Sequence, residues 1–141
     1  MRDVSLWREM LGVDKTVIER VEFDEDEQVL VAHVRPTKRE RGRCGVCRRR
    51  SPGYDGGAGR RRWRALDLGT VRAVLEADAP RVLCREHGVV VASMPWARHD
   101  AGHTYAFDDT VAWLATQSSK TTVTALMRVA WRTVGSIIAR V

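Results

Sequence analysis

The chain has 141 residues and a formal net charge of +6, which fits one ordinary domain or two very small ones. That charge is unevenly placed: residues 1–34 hold 4 basic and 9 acidic side chains, whereas residues 35–64 hold 12 basic and 2 acidic. No apolar run approaches the ~18 residues of a membrane span, Met1–Met10 is too charged for a signal peptide, and three cysteines cannot close a disulfide framework. A cytoplasmic, reducing compartment is expected, where paired thiols are more often metal ligands than bridges.

Taken in order, residues 4–11 place Leu6, Trp7, Met10 and Leu11 at helical spacing, which predicts a short helix ending at Gly12 and packing on the core. Val17–Phe23 and Gln28–Val34 read as strands around the turn Asp24-Glu25-Asp26-Glu27, an acidic run best read as a solvated bend. Pro36, Pro52 and a series of glycines then mark a loop around C-G-V-C at 44–47. Within it, Gly45 is expected to let the backbone turn so that amides face thiolate sulfurs. The clusters Arg48, Arg49, Arg50 and Arg60, Arg61, Arg62 flank this loop, with Tyr54 and Trp63 interleaved. Arginine forks onto phosphate as lysine cannot, so both clusters are expected to contact nucleic-acid phosphates, which position a protein without specifying sequence. Residues 63–69 and 71–77 predict consecutive strands. Arg81–Cys84 leads into C-R-E-H at 84–87, and Gly88–Ala92 leads away.

Cys44, Cys47, Cys84 and His87 use every cysteine in the chain, at C-x-x-C and C-x-x-H spacing. Each short knuckle can aim two ligands at one point, so one structural Zn²⁺ clipping two hairpin ends is expected. A C-x-x-C alone also suits a redox pair, but the second pair and the absence of a βαβ pattern argue for metal. Three thiolates and one imidazole leave no open position for water, so no catalysis is expected at the site. A β module of this size buries little surface, and a metal staple compensates for that. His33, His99 and His103 lack such partners and read as structural or surface groups.

Pro95, Gly102 and two histidines make residues 93–106 a connecting stretch. The expected division is 1–96 for the β module, 97–106 for a linker and 107–141 for helices. Three helices are predicted: Phe107–Gln117, with Asp108 and Asp109 in its first turn, Lys120–Met127 capped by Ser119, and Trp131–Val141. Val123, Met127, Val129, Val134, Ile137 and Ile138 are expected to face inward, as two helices joined by a three- to four-residue turn require. That is the pattern of a helix-turn-helix bound to double-stranded DNA. Trp131, Arg132, Thr133 and Ser136 would then face bases, and Lys120 and Arg140 the backbone. Arg128 occupies a turn position that often needs positive φ, where glycine is common. The fold class is α+β, a zinc-ribbon-like antiparallel β module followed by a three-helix helix-turn-helix module.

The order of these features, with C-G-V-C at 44–47, R-R-W-R-A-L-D-L-G at 61–69, R-V-L-C-R-E-H-G-V at 81–89, P-W-A-R at 95–98 and W-R-T-V at 131–134, resembles the N-terminal region of insertion-sequence transposases of the ISL-three family. The resemblance implies binding to the terminal inverted repeats of a bacterial mobile element, with a nucleoid-associated location. It also implies a catalytic domain of the Asp/Asp/Glu type after Val141. These 141 residues supply no spaced carboxylate triad, so a non-enzymatic binding region without a small-molecule substrate is expected. Homodimerisation is left open. A stand-alone regulator or protein-interaction adaptor is the alternative.

Overall fold

The computed structural model describes residues 4–141, in a β-rich unit ending at Thr104 and a helical unit from Tyr105 to Val141. In the first unit a short helix, α1 (Val4–Leu11), precedes seven strands: β1 (Thr16–Asp24), β2 (Val29–Pro36), β3 (Gly53–Asp55), β4 (Arg60–Leu68), β5 (Val71–Asp78), β6 (Arg81–Cys84) and β7 (Gly88–Val91). They form a four-stranded sheet in the order β1-β2-β5-β4 and a three-stranded sheet in the order β3-β6-β7.

The β1–β2 hairpin turns where the acidic run predicts. Asp24 Oδ1 accepts from the amides of Asp26 at 3.0 Å and Glu27 at 3.1 Å, so the carboxylate helps to bend its own backbone. The wholly antiparallel module expected from sequence is corrected, because β2 and β5 run parallel, from Val29↔Arg72 to His33↔Glu76. Between them the chain passes through the first knuckle, β3 and β4, and so has the long crossover a parallel pair needs. β3 is a further correction: it forms within the expected loop and pairs with β6.

Trp63 is 1% exposed and meets the buried Trp96 edge-to-face, with centroids 5.4 Å apart. It belongs to the core and not to a nucleic-acid surface. Met94, Trp96, Ala97 and Ala101 are also buried. The Arg64 amide donates to Gly102 O at 3.0 Å and the Thr104 amide to Arg64 O at 2.9 Å. The expected linker 97–106 is therefore packed onto β4 up to Thr104. Pro95 and Gly102 exclude regular structure between β7 and Thr104, but the apolar side chains there still gain by leaving water. In α1 only half of the expected stripe reaches the core: Leu11 is buried and Trp7 packs beside it, whereas Leu6 and Met10 are about half exposed.

The helical unit consists of α2 (Tyr105–Gln117), α3 (Lys120–Met127) and α4 (Trp131–Arg140). Ser119 caps α3, its hydroxyl accepting from the Thr122 amide at 3.2 Å. Arg128 ends α3 in the left-handed region, at φ 54° and ψ 50°, and its amide bonds to Thr124 O. Phe107, Val111, Val123, Val134 and Ile137 form the interior, each at most 1% exposed. Ile138, expected inside, is 46% exposed, since it falls one residue beyond the inward stripe of α4.

Asp108 is fully buried and receives Arg140 Nε and Nη2, both at 2.9 Å. This fork–fork pair joins the first turn of α2 to the last turn of α4. The anion sits at a helix N-terminus and the cation at a C-terminus, as the helix dipoles favour. The expectation that Arg140 contacts the DNA backbone is corrected, because its guanidinium neutralises a buried carboxylate.

Candidate metal centre and nucleic-acid interface

The two knuckles are built alike. Cys44-Gly45-Val46-Cys47-Arg48 leaves the bridge Arg43↔Arg50, and Cys84-Arg85-Glu86-His87-Gly88 closes the β6–β7 hairpin. In each, the residue after the second ligand is left-handed, at φ 62° for Arg48 and φ 72° for Gly88. The second knuckle uses glycine there and the first uses arginine. Gly45 serves closeness of approach: a Cβ there would lie 2.4 Å from Val91 O and 2.5 Å from His99 Nδ1. The amide of Val46 then reaches Cys44 Sγ at 3.3 Å.

One ligand atom from each of Cys44, Cys47, Cys84 and His87 lies within 4.8 Å of the others. Cys47 Sγ and Cys84 Sγ are 3.7 Å apart, far beyond a disulfide bond. His87 Nδ1 lies 3.7 Å from Cys44 Sγ and 3.6 Å from Cys84 Sγ. A tetrahedron with metal–sulfur bonds of about 2.3 Å and a metal–nitrogen bond of about 2.0 Å has S···S edges near 3.8 Å and S···N edges near 3.5 Å. The donor set and its spacing therefore fit Zn²⁺, and Nδ1 is the His87 atom that would hold it. Backbone amides of Glu86 and His87 draw the Cys84 thiol down to about 6, toward the thiolate a metal requires. The Arg49 amide lowers Cys47, but desolvation and the neighbouring Cys84 and Cys44 thiols outweigh it and leave Cys47 raised. Crowded thiols resist joint ionisation until a cation is shared among them.

The two arginine clusters fare differently. Arg48, Arg49 and Arg50 are exposed beside the first knuckle, and Arg49 has only a loose 3.9 Å approach to Glu86. Arg60, Arg61 and Arg62 open β4, and each already has a partner within the fold. Arg60 bonds to Glu76 Oε2 at 3.3 Å and to His33 Nδ1 at 2.8 Å. Arg62 bonds to Glu76 Oε1 at 3.0 Å and to Glu27 at 3.2 Å. Arg61 bonds to Ala101 O at 2.6 Å and lies 4.7 Å over the Trp63 ring. The register aligns Arg20, His33, Glu76 and Arg62 in one row across all four strands, so these charges neutralise one another. His33 is a buried structural group within that row, 2.6 Å from Glu22.

At the start of α4, Trp131 is 53% exposed and Arg132 is exposed. Thr133 is half-buried, and the Ser136 hydroxyl donates to Arg132 O at 3.2 Å. Lys120 Nζ lies 5.0 Å over the Trp131 ring, tying the first residue of α3 to the first of α4. Three features of these surfaces lay outside the sequence expectations: the left-handed Arg48, the Lys120–Trp131 stack and the Arg81–Asp55 pair beside Tyr54. Only the first had a sequence signal, since aligning C-x-x-C-R with C-x-x-H-G sets Arg48 against a glycine. Among the described residues no helix is long and apolar enough to cross a membrane.

Residues 40–87 match the family described as the zinc-finger of transposase IS204/IS1001/IS1096/IS1165. Residues 92–141 match the helix-turn-helix domain of transposase family ISL3. The chain is 60% identical, over its whole length, to the transposase for insertion sequence element IS1557 from two strains of Mycobacterium tuberculosis, CDC 1551 / Oshkosh and H37Rv. It spans about a third (33%) of the length of these curated relatives. No solved structure matches it. Knuckles, helices and relatives agree, and the chain carries, in order, the zinc-finger and the helix-turn-helix domain of the ISL3 transposase family.

Proposed function

We propose that the chain is the DNA-binding region of an insertion-sequence transposase and recognises the terminal inverted repeats of its element. The observation that carries this reading is the start of α4, where Trp131 and Arg132 project outward across a short turn from α3. In a helix-turn-helix that end of the second helix enters the major groove. Arg132 is the base reader, forking onto a guanine edge. Trp131, Thr133 and Ser136 line the same end, and Lys120 contacts the backbone. Arg48, Arg49 and Arg50 bind phosphates. A single Zn²⁺ holds the knuckle that presents them, and has no catalytic part. Strand transfer belongs to an Asp/Asp/Glu domain elsewhere in the full transposase, and a homodimer is the form that would engage two repeats.

The test is titration of the zinc-loaded chain against duplexes carrying an element end or a scrambled sequence. Arg132→Ala is expected to weaken the element-end complex by about 1–3 kcal/mol and to relax sequence preference. Equal losses on both duplexes would remove Arg132 from base reading, and no binding to either at low salt would end the DNA assignment.

A further inference from the structure

A cavity of about 610 Å³ opens in the first unit, lined by both of its sheets and by the approach to the first knuckle. Its size lies within the ~300–1,000 Å³ of ligand-binding clefts. Its floor is apolar: Val34, Ala77, Val82, Ala92 and Met94 line it and are each at most 7% exposed. Its rim is basic, with Arg35, Arg41, Arg60 and Arg81 against Glu19, Asp55 and Asp78.

The rim cations are not equivalent. Arg60 and Arg81 are held by acidic partners, Arg60 by Glu76 and Asp78 and Arg81 by Asp55. Arg35 has only a 4.0 Å approach to Glu19. Arg41 is exposed and has no acidic neighbour within ion-pair distance among the described residues. One edge of the cavity carries Tyr54, 56% exposed, with the Arg81 guanidinium 5.4 Å from its ring centre. An exposed aromatic ring, an apolar floor and the Arg41 guanidinium together match one flat, uncharged ring linked to phosphates.

We propose that this cavity takes an unpaired nucleotide of single-stranded nucleic acid, its base against Tyr54 and the apolar floor and its phosphates at Arg41 and Arg35. A paired base has both faces covered by its neighbours, and a duplex is too wide to enter a cleft of this volume. The ligand is therefore an unstacked base, as in proteins that combine stacking platforms with a basic track. The inference extends the DNA-binding reading, adding a second mode of contact distinct from the α4 duplex surface.

The experiment uses the full zinc-loaded chain and three fluorescein-labelled probes in low salt: a single-stranded oligothymidylate, an abasic strand with the same number of phosphates, and an element-end duplex. The oligothymidylate is expected to bind at least about 5-fold tighter than the abasic strand, the range one stacked base supplies. Tyr54→Ala should remove that difference and leave duplex affinity unchanged. Arg41→Ala should weaken both single strands. Zinc content and circular dichroism verify that each variant is folded, which the exposure of both side chains favours. Equal binding of base-bearing and abasic strands, or a difference that survives Tyr54→Ala, overturns the proposal. The duplex arm keeps the two readings apart: loss of duplex binding with a Tyr54-dependent single-strand preference defeats only the α4 assignment. A duplex that binds while the oligothymidylate does not defeats only the cavity assignment.

Discussion

Arg48–Arg50 and Arg60–Arg62 are the same tripeptide in the same basic block, and the fold gives them opposite surroundings. The first stands exposed beside the metal knuckle, where Arg49 has a loose 3.9 Å approach to Glu86. The second lies in a strand whose neighbours bring Glu76, Glu27 and Asp78 to it. Formal charge is a property of a segment, but the field a phosphate meets depends on which strands pair. The acidic residues that neutralise Arg60 and Arg62 come from the β1–β2 turn and from β5, both outside the block that looks so basic in sequence.

The comparison can be broken most severely at its scaffold. Cys84→Ser is expected to abolish stoichiometric zinc binding and to cost much of the fold of the first unit, since metal affinity there is folding free energy. Metal analysis together with a thermal melt checks this, and folded protein with less than half an equivalent of zinc would count against the staple.

Next in size is Glu76→Gln, which removes the anion between the two β4 arginines and His33. We expect a loss of about 2 kcal/mol in urea unfolding. The same group sets a pH dependence. The Arg62 hydrogen bond holds Glu76 below its ordinary 4.5. Its contribution is therefore complete above pH 4.5 and declines as the pH falls through the lowered value. Glu76→Gln should flatten that acid limb.

The smallest expected effects are at the left-handed arginines. Arg128→Gly and Arg48→Gly relieve a strained backbone, φ 54° and 62°, and each should gain up to about 1 kcal/mol. If both instead destabilise by that amount, their side chains contribute more than the backbone conformation costs.

Much of this architecture was legible in the sequence. Ligand spacing identifies Cys44, Cys47, Cys84 and His87 because metal geometry is local to each knuckle. The stripe Val123, Val134 and Ile137 identifies the helix pair because its burial follows helical periodicity. The partners of Arg60, Arg62 and Arg140 were not legible, because each lies 14 to 35 residues away in sequence and depends on register or helix packing. Trp63 shows the same limit: in sequence it stands among arginines, and in the fold it faces Trp96. The parallel β2–β5 pairing has no local signal either.

The most direct test of this contrast is the slope of log affinity against log salt for an element-end duplex. It is measured for the unaltered chain, for Arg49→Ala with Arg50→Ala, and for Arg60→Ala with Arg62→Ala, each verified as folded. For every phosphate that a variant no longer neutralises, the slope should flatten by about 0.9. The prediction is a flattening of about two units for the knuckle pair and none for the β4 pair, and equal slopes for the two variants would contradict it.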